Sequence, residues 1–284
     1  MTSRPATTAP PATEPHRHLI RSELTKVRST RILAVGVGLA VGLSLLIVAL
    51  VAAAMAQHGS YCAAPGASCS SGALRPDPTV TLLGLMGDGS TPGLGMLVLM
   101  AVGAMVLLVE YRYGTIGTTL MVTPQRRRVA WAKAAVVAVL TAVVAFGVAL
   151  ASALVFTAIG GSAASRVEPL GADGLLRDLR TAAVVTAAAV FALALALLLR
   201  NAIAAVAVAL LWPTLIEVLV PAFFADSGAR VAGLMPFVNA RRFIGMETGG
   251  DFLWSPAVSG VYFLAVVVVI FLAGTEVLSR TDHR

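Results

Sequence analysis

Six long apolar runs, separated by short polar or basic segments, organise this chain: about 32 to 56, 93 to 109, 129 to 159, 181 to 199, 202 to 224 and 256 to 278. A helix needs roughly 20 apolar residues to cross a hydrocarbon core of about 30 Å, so each run is a candidate membrane span. The runs are continuous and rich in Ala, Leu and Val. Membrane strands would instead alternate over segments of about 10 residues, so helices are predicted rather than a barrel. A helix also satisfies its own backbone polar groups inside lipid. The third run is longer than a crossing requires and predicts a tilted or protruding helix. Only Arg200 and Asn201 separate the fourth and fifth, which predicts a tight hairpin.

Composition narrows the class. Of 284 residues, 58% are hydrophobic and 12% charged, a balance foreign to water-soluble domains. The mean hydropathy of +0.88 agrees. The net charge of +7 is unevenly placed. With a cytoplasmic N-terminus, Arg4, Arg17, Arg21, Lys26, Arg28, Arg31, Arg112, Arg126, Arg127, Arg128, Lys133, Arg200, Arg280 and Arg284 lie inside, fourteen of the 21 basic residues. That bias predicts both termini inside. The excess reports topology and phospholipid contact, not nucleic acid, because no recognition module lies between the short basic flanks. Ala54-Met55-Ala56 has a small-residue cleavage pattern. The preceding apolar run exceeds a signal-peptide core of about 7 to 15 residues, so a retained first span is expected.

The flanks and loops carry the remaining character. Residues 1–18 contain four prolines and no apolar periodicity, as in a disordered cytosolic tail. From Leu19, Ile20, Leu24 and Val27 recur at helical spacing with Arg21, Glu23, Lys26 and Arg28 on other faces. This predicts a short amphipathic helix in the membrane interface over 19–31, the alternative being a plain basic flank of the first span. The extracytoplasmic loop 57–92 holds Cys62 and Cys69, either bridged in an oxidising compartment or free thiols. Two cysteines without neighbouring histidines make a poor zinc site, so no metal is expected. Glu217 stands within the fifth run between Pro213 and Pro221. A mid-membrane carboxylate normally faces protein or water, so Glu217 either lines a translocation path, pairs with a polar group, or lies one turn deep at a hydrated edge. The segment 225–255 mixes apolar residues with Arg241, Arg242 and glycines, and predicts a part-buried outer re-entrant segment.

The stretch EYRYGTIGTTLMVTPQRRRVAWAK, residues 110–133, is the only substantial cytosolic loop between spans. Gly114 and Gly117 loosen it, Ile116, Leu120 and Met121 can enter a hydrophobic groove, and Pro124 stops the short helix. Arg126, Arg127 and Arg128 then return the chain to headgroup level as a membrane-interface basic cluster. The loop is thus a docking knob for a soluble partner.

This stretch closely resembles the cytosolic loop of the type-2 permease subunits of ATP-binding cassette (ABC) exporters, and RSELTKVRSTR is similar to the segment that opens them. The resemblance runs from Leu19 to the end through the six spans, the Glu-bearing fifth span and the outer LMPF. It implies an all-α integral membrane protein: six transmembrane helices over 32–284, an N-terminal interfacial helix and cytoplasmic termini. Gly114, Thr115, Ile116, Thr119, Leu120, Met121 and Pro124 would form the coupling helix that docks an ATPase. Leu19 to Arg31 would be the elbow helix, with Glu23 and Lys26 at matching positions. Glu217 matches a recurrent acidic position whose contact with cargo stays open. The implied partners are two ABC ATPase subunits, a second permease subunit, identical or closely related, and the lipid bilayer. The implied location is a bacterial inner membrane and the implied cargo hydrophobic or amphipathic.

No GxxxxGK[ST] phosphate loop occurs in the chain, so ATP and Mg would be bound by the partner and catalysis is not expected here. A membrane enzyme is the main rival class, but His16, His18, His58 and His283 all fall outside the predicted spans. An ion-coupled carrier titrating Glu217 would normally show internal repeats, and none is visible. A non-transporting anchor or sensor on the same architecture is the remaining alternative.

Overall fold

The computed structural model describes residues 31–62, 92–112, 126–161, 168–224, 227–246 and 250–280. Among them every regular element is a helix. In chain order these are α1 (Arg31–Cys62), α2 (Leu94–Arg112), α3 (Arg126–Ile159), α4 (Ala172–Leu199), α5 (Ala202–Leu211), a π-helical turn (Trp212–Ile216), α6 (Glu217–Ala222), α7 (Gly228–Gly233), α8 (Pro236–Ile244) and α9 (Pro256–Arg280).

Among the described residues, five segments are long and apolar enough to cross a membrane: Leu33–Gln57, Arg127–Ile159, Ala172–Leu199, Ile203–Ala222 and Pro256–Arg280. The second predicted span is a shorter apolar helix, Leu94–Glu110, within the 19 residues of α2. At 1.5 Å per residue α2 is about 28 Å long, close to the hydrocarbon thickness. The fourth run departs most from expectation, because α4 begins at Ala172 rather than near residue 181. Arg177, Asp178 and Arg180 are therefore helical, not loop, residues. Hydropathy failed here because three charges within four residues mask a helix that simply continues past the apolar run.

The axis of the bundle is α4. All residues from Phe191 to Leu197 are buried, so no face of this part of the helix is left for lipid. It packs against α2, α3 and α9, and α1 lies across α2 and α3. Lipid tails are as apolar as leucine, so such packing depends on close approach, not on escape from water. Alanine supplies the room: Ala188, Ala189, Ala192, Ala194 and Ala196 are wholly buried along α4. At Gly103 of α2 a Cβ would sit 2.4 Å from the Ala189 carbonyl oxygen, so only glycine fits that crossing. A Cβ at Gly36 of α1 would likewise meet Val102, whereas one at Gly38 or Gly42 would meet nothing within 4 Å among the described residues.

The α4–α5 hairpin turns on two residues with opposite backbone needs. Arg200 closes α4 in the left-handed region, φ 51°, a conformation more common for glycine. Asn201 then starts α5 by accepting the Ala204 N–H on its side-chain oxygen at 3.1 Å.

In the fifth span Pro213 has no N–H to donate back along the helix, and the backbone widens into the π turn Trp212–Ile216. The Thr214 hydroxyl donates to the Leu210 carbonyl at 2.7 Å, replacing part of the lost ladder. The connection to α9 is folded: α7 and α8 follow α6, and α8 packs on α9 and α4.

Candidate functional site: the loop stem and the buried carboxylate

The loop predicted to dock a partner leaves α2 and re-enters α3. Gly114, Thr115, Ile116, Thr119, Leu120, Met121 and Pro124 lie outside the described residues, as do Glu23 and Lys26 and the rest of the predicted elbow before Arg31. The stem of the loop is described. The Lys133 ammonium donates to Glu110 Oε1 at 2.7 Å, joining α2 to α3. Both side chains are almost completely enclosed, 2% and 8% exposed. Isolated ions at that depth would be costly, and pairing is the usual resolution in membrane helices. These residues bound the docking stretch identified in the sequence, where neither was singled out. Their 23-residue separation leaves no periodic signal linking them.

A second layer ties α3 to α9. Arg127 donates to Glu276, which also accepts from Arg280 at 2.7 Å. One helical turn deeper, the Trp131 and Phe271 rings meet edge to face at 4.8 Å. The predicted basic cluster is thereby divided: Arg127 is paired, Arg128 is exposed, and Arg126 opens α3. The charged pairs are solvent-facing and contribute little to stability. The ring contact and the buried Glu110–Lys133 pair hold the stem.

Glu217 stands on the fifth span, immediately after the π turn. It is 3% exposed. Its Oε1 accepts the Phe237 N–H at 2.9 Å and the Trp212 indole N–H at 3.1 Å, and Oε2 accepts the Val238 N–H at 2.9 Å. Phe237 and Val238 are in the first turn of α8, where backbone N–H groups lack helical partners and the helix dipole favours an anion. The carboxylate is therefore a cap delivered from another helix, and it staples the fifth span to the folded connection.

The same end is tied at other points. Asn239 is wholly buried and spends its amide on the Gly233 and Met235 carbonyls, at 2.8 and 2.9 Å, while its oxygen accepts the Trp254 indole at 2.9 Å. Tyr262 of α9 donates to the Leu234 carbonyl at 2.7 Å. Phe237 makes edge contacts with Phe191 and Phe263, 5.5 and 5.1 Å between centroids. Asp178 of α4 is buried without a hydrogen-bond partner among the described residues, and its charge neighbour is Arg177. Sequence reading missed Asn239 and Asp178, since a lone polar residue beside an apolar run looks the same whether it faces water or protein.

Cys62 ends α1, and the partner thiol of the predicted disulfide, Cys69, lies outside the described residues. Comparison with known proteins gives one finding. Residues 19–215 match the family model described as ABC-2 family transporter protein. No curated protein sequence and no solved structure matches the chain.

Proposed function

Because the chain belongs to the ABC-2 transporter family, we propose that it is the membrane-spanning permease subunit of an ABC exporter. It moves a hydrophobic or amphipathic cargo outward across a bacterial inner membrane, with six spans and both termini cytoplasmic. Two separate ATPase subunits bind ATP and Mg and supply the work, and a second permease subunit completes the pathway. Residues 114–124 dock each ATPase, with the elbow segment 19–31 alongside.

The observation that carries this reading is the buried Glu110–Lys133 pair at 2.7 Å. A docking loop transmits force only if its two stems move as one body. A buried ion pair between α2 and α3, with α3 held to α9 beside it, meets that need. Closure of the ATPase pair then shifts the bundle between two packings, a two-state transition biased by nucleotide. Pairing with a second permease is supported by α1, where a Cβ at Gly38 or Gly42 would meet nothing within 4 Å among the described residues, beside exposed Val35, Leu39 and Leu46. The carrier alternative loses ground because both oxygens of Glu217 are held by α8.

The test is mild-detergent purification of the tagged chain from its host, with identification of co-purifying proteins and an ATP hydrolysis assay. A stoichiometric ATPase, lost on Leu120→Asp while the chain remains in the membrane, is the expected result. A chain that purifies alone and without nucleotide-dependent activity overturns the proposal.

A further inference from the structure

A cavity of about 210 Å³ opens between α4, α8 and α9, at the end of the bundle away from the Glu110–Lys133 stem. Its walls are apolar, formed by Ala183 and Ala187 of α4, Phe243 of α8, and Gly260, Val261 and Leu264 of α9. Val261 and Leu264 are 67% and 54% exposed, so the cavity opens sideways on the face that lipid covers and is not sealed within the protein. Gly260 shapes the floor: a Cβ there would stand 2.5 Å from the Phe243 ring, so glycine lets that ring lie flat against α9.

Above the cavity stands a cation. The Arg180 guanidinium lies over the Phe243 ring, 5.6 Å from its centroid. Arg180 is one turn nearer the end of the bundle than Ala183 and, at i and i+3, shares its face of α4. With 28 residues, α4 is about 42 Å long and overshoots the hydrocarbon core, which places this turn near the headgroups. From the end inward, the order is guanidinium, aromatic ring, apolar slot open to the bilayer. That is the order of an anionic phospholipid, phosphate first and acyl chain below.

We propose that this cavity binds the acyl chain of one anionic phospholipid of the bilayer, with Arg180 holding its phosphate. The inference concerns a resident lipid and is independent of which cargo the protein moves. The site would brace α8 between α4 and α9 by filling a slot that no side chain fills.

Native mass spectrometry of the full chain, released from detergent with added dioleoyl phosphatidylglycerol or dioleoyl phosphatidylcholine, tests this directly. One saturable phosphatidylglycerol should bind, preferred about fivefold over phosphatidylcholine, the worth of one arginine near an anionic membrane surface. Arg180→Gln should erase the preference, and Ala183→Phe, on an exposed wall position, should erase the saturable binding of either lipid. Val261→Phe fills the slot from α9 and guards against a folding defect in the first variant. Saturable binding that ignores headgroup charge and Arg180→Gln overturns the anionic assignment. Binding unchanged in both slot-filling variants overturns the site.

Discussion

Replacing Lys133 with methionine probes the loop stem most directly, because it removes a charge while keeping an unbranched side chain. At 2.7 Å the pair attracts by about 6 kcal/mol with an effective dielectric of about 20. Burial costs several kcal/mol per ion, so the intact pair is close to break-even against an apolar contact of equal volume. Removal of one partner is not symmetric with that balance. Lys133→Met leaves the Glu110 carboxylate buried without its ammonium, which costs about 3–5 kcal/mol. At roughly 2–4 °C per kcal/mol for a chain of this size, the apparent melting temperature should fall by about 6 to 20 °C. Glu110→Leu should produce a similar loss. The double variant, Glu110→Leu with Lys133→Met, should recover most of it, since both charges leave together and the space stays filled. Heating detergent-solubilised protein and measuring the monodisperse fraction by fluorescence-detected size exclusion gives all four melting temperatures. Simple additivity of the two single losses in the double variant would refute the argument that the ions are coupled.

Three other perturbations separate the remaining contacts. Glu217→Leu removes the acceptor for the Phe237 and Val238 amides, at about 1–3 kcal/mol for each buried donor left without a partner; hydrogen exchange at those two amides should rise more than tenfold, and unchanged protection would show that α8 does not depend on this cap. Gly103→Leu drives a side chain against the Ala189 backbone and should lower the melting temperature by several degrees, as overpacking by about 1–3 kcal/mol implies. A Cβ at Gly38 would meet nothing within 4 Å among the described residues, so Gly38→Ala should not lower that melting temperature and should weaken only self-association, measured by cross-linking. Intact mass of the unreduced peptide spanning Cys62 and Cys69 should lack two thiol protons if they are bridged, and finding both thiols free removes the disulfide.

The sequence by itself determined where the chain prefers lipid to water. Insertion depends on the summed transfer free energy of about 20 consecutive residues, a local quantity that can be read without knowing the fold. The boundaries of the third, fifth and sixth runs therefore fall within a few residues of α3, the α5 to α6 rod and α9. The same logic misplaced the start of α4, because a helix can extend past its apolar stretch once charged residues are accommodated.

Only the tertiary structure decided how the helices are arranged against one another. Hydropathy compares a helix with water and is nearly blind to the choice between lipid and another helix, which are equally apolar. Nothing in the run from Ala182 to Leu199 announced that α4 would be the enclosed axis while α1 keeps Val35, Leu39 and Leu46 exposed. The polar pairings are equally non-local: Glu110 finds Lys133 across a loop, and Glu217 finds amides 20 and 21 residues onward. Burial in a low-dielectric interior makes such partners necessary, but a chain of apolar runs does not say which partner is within reach until the helices have packed.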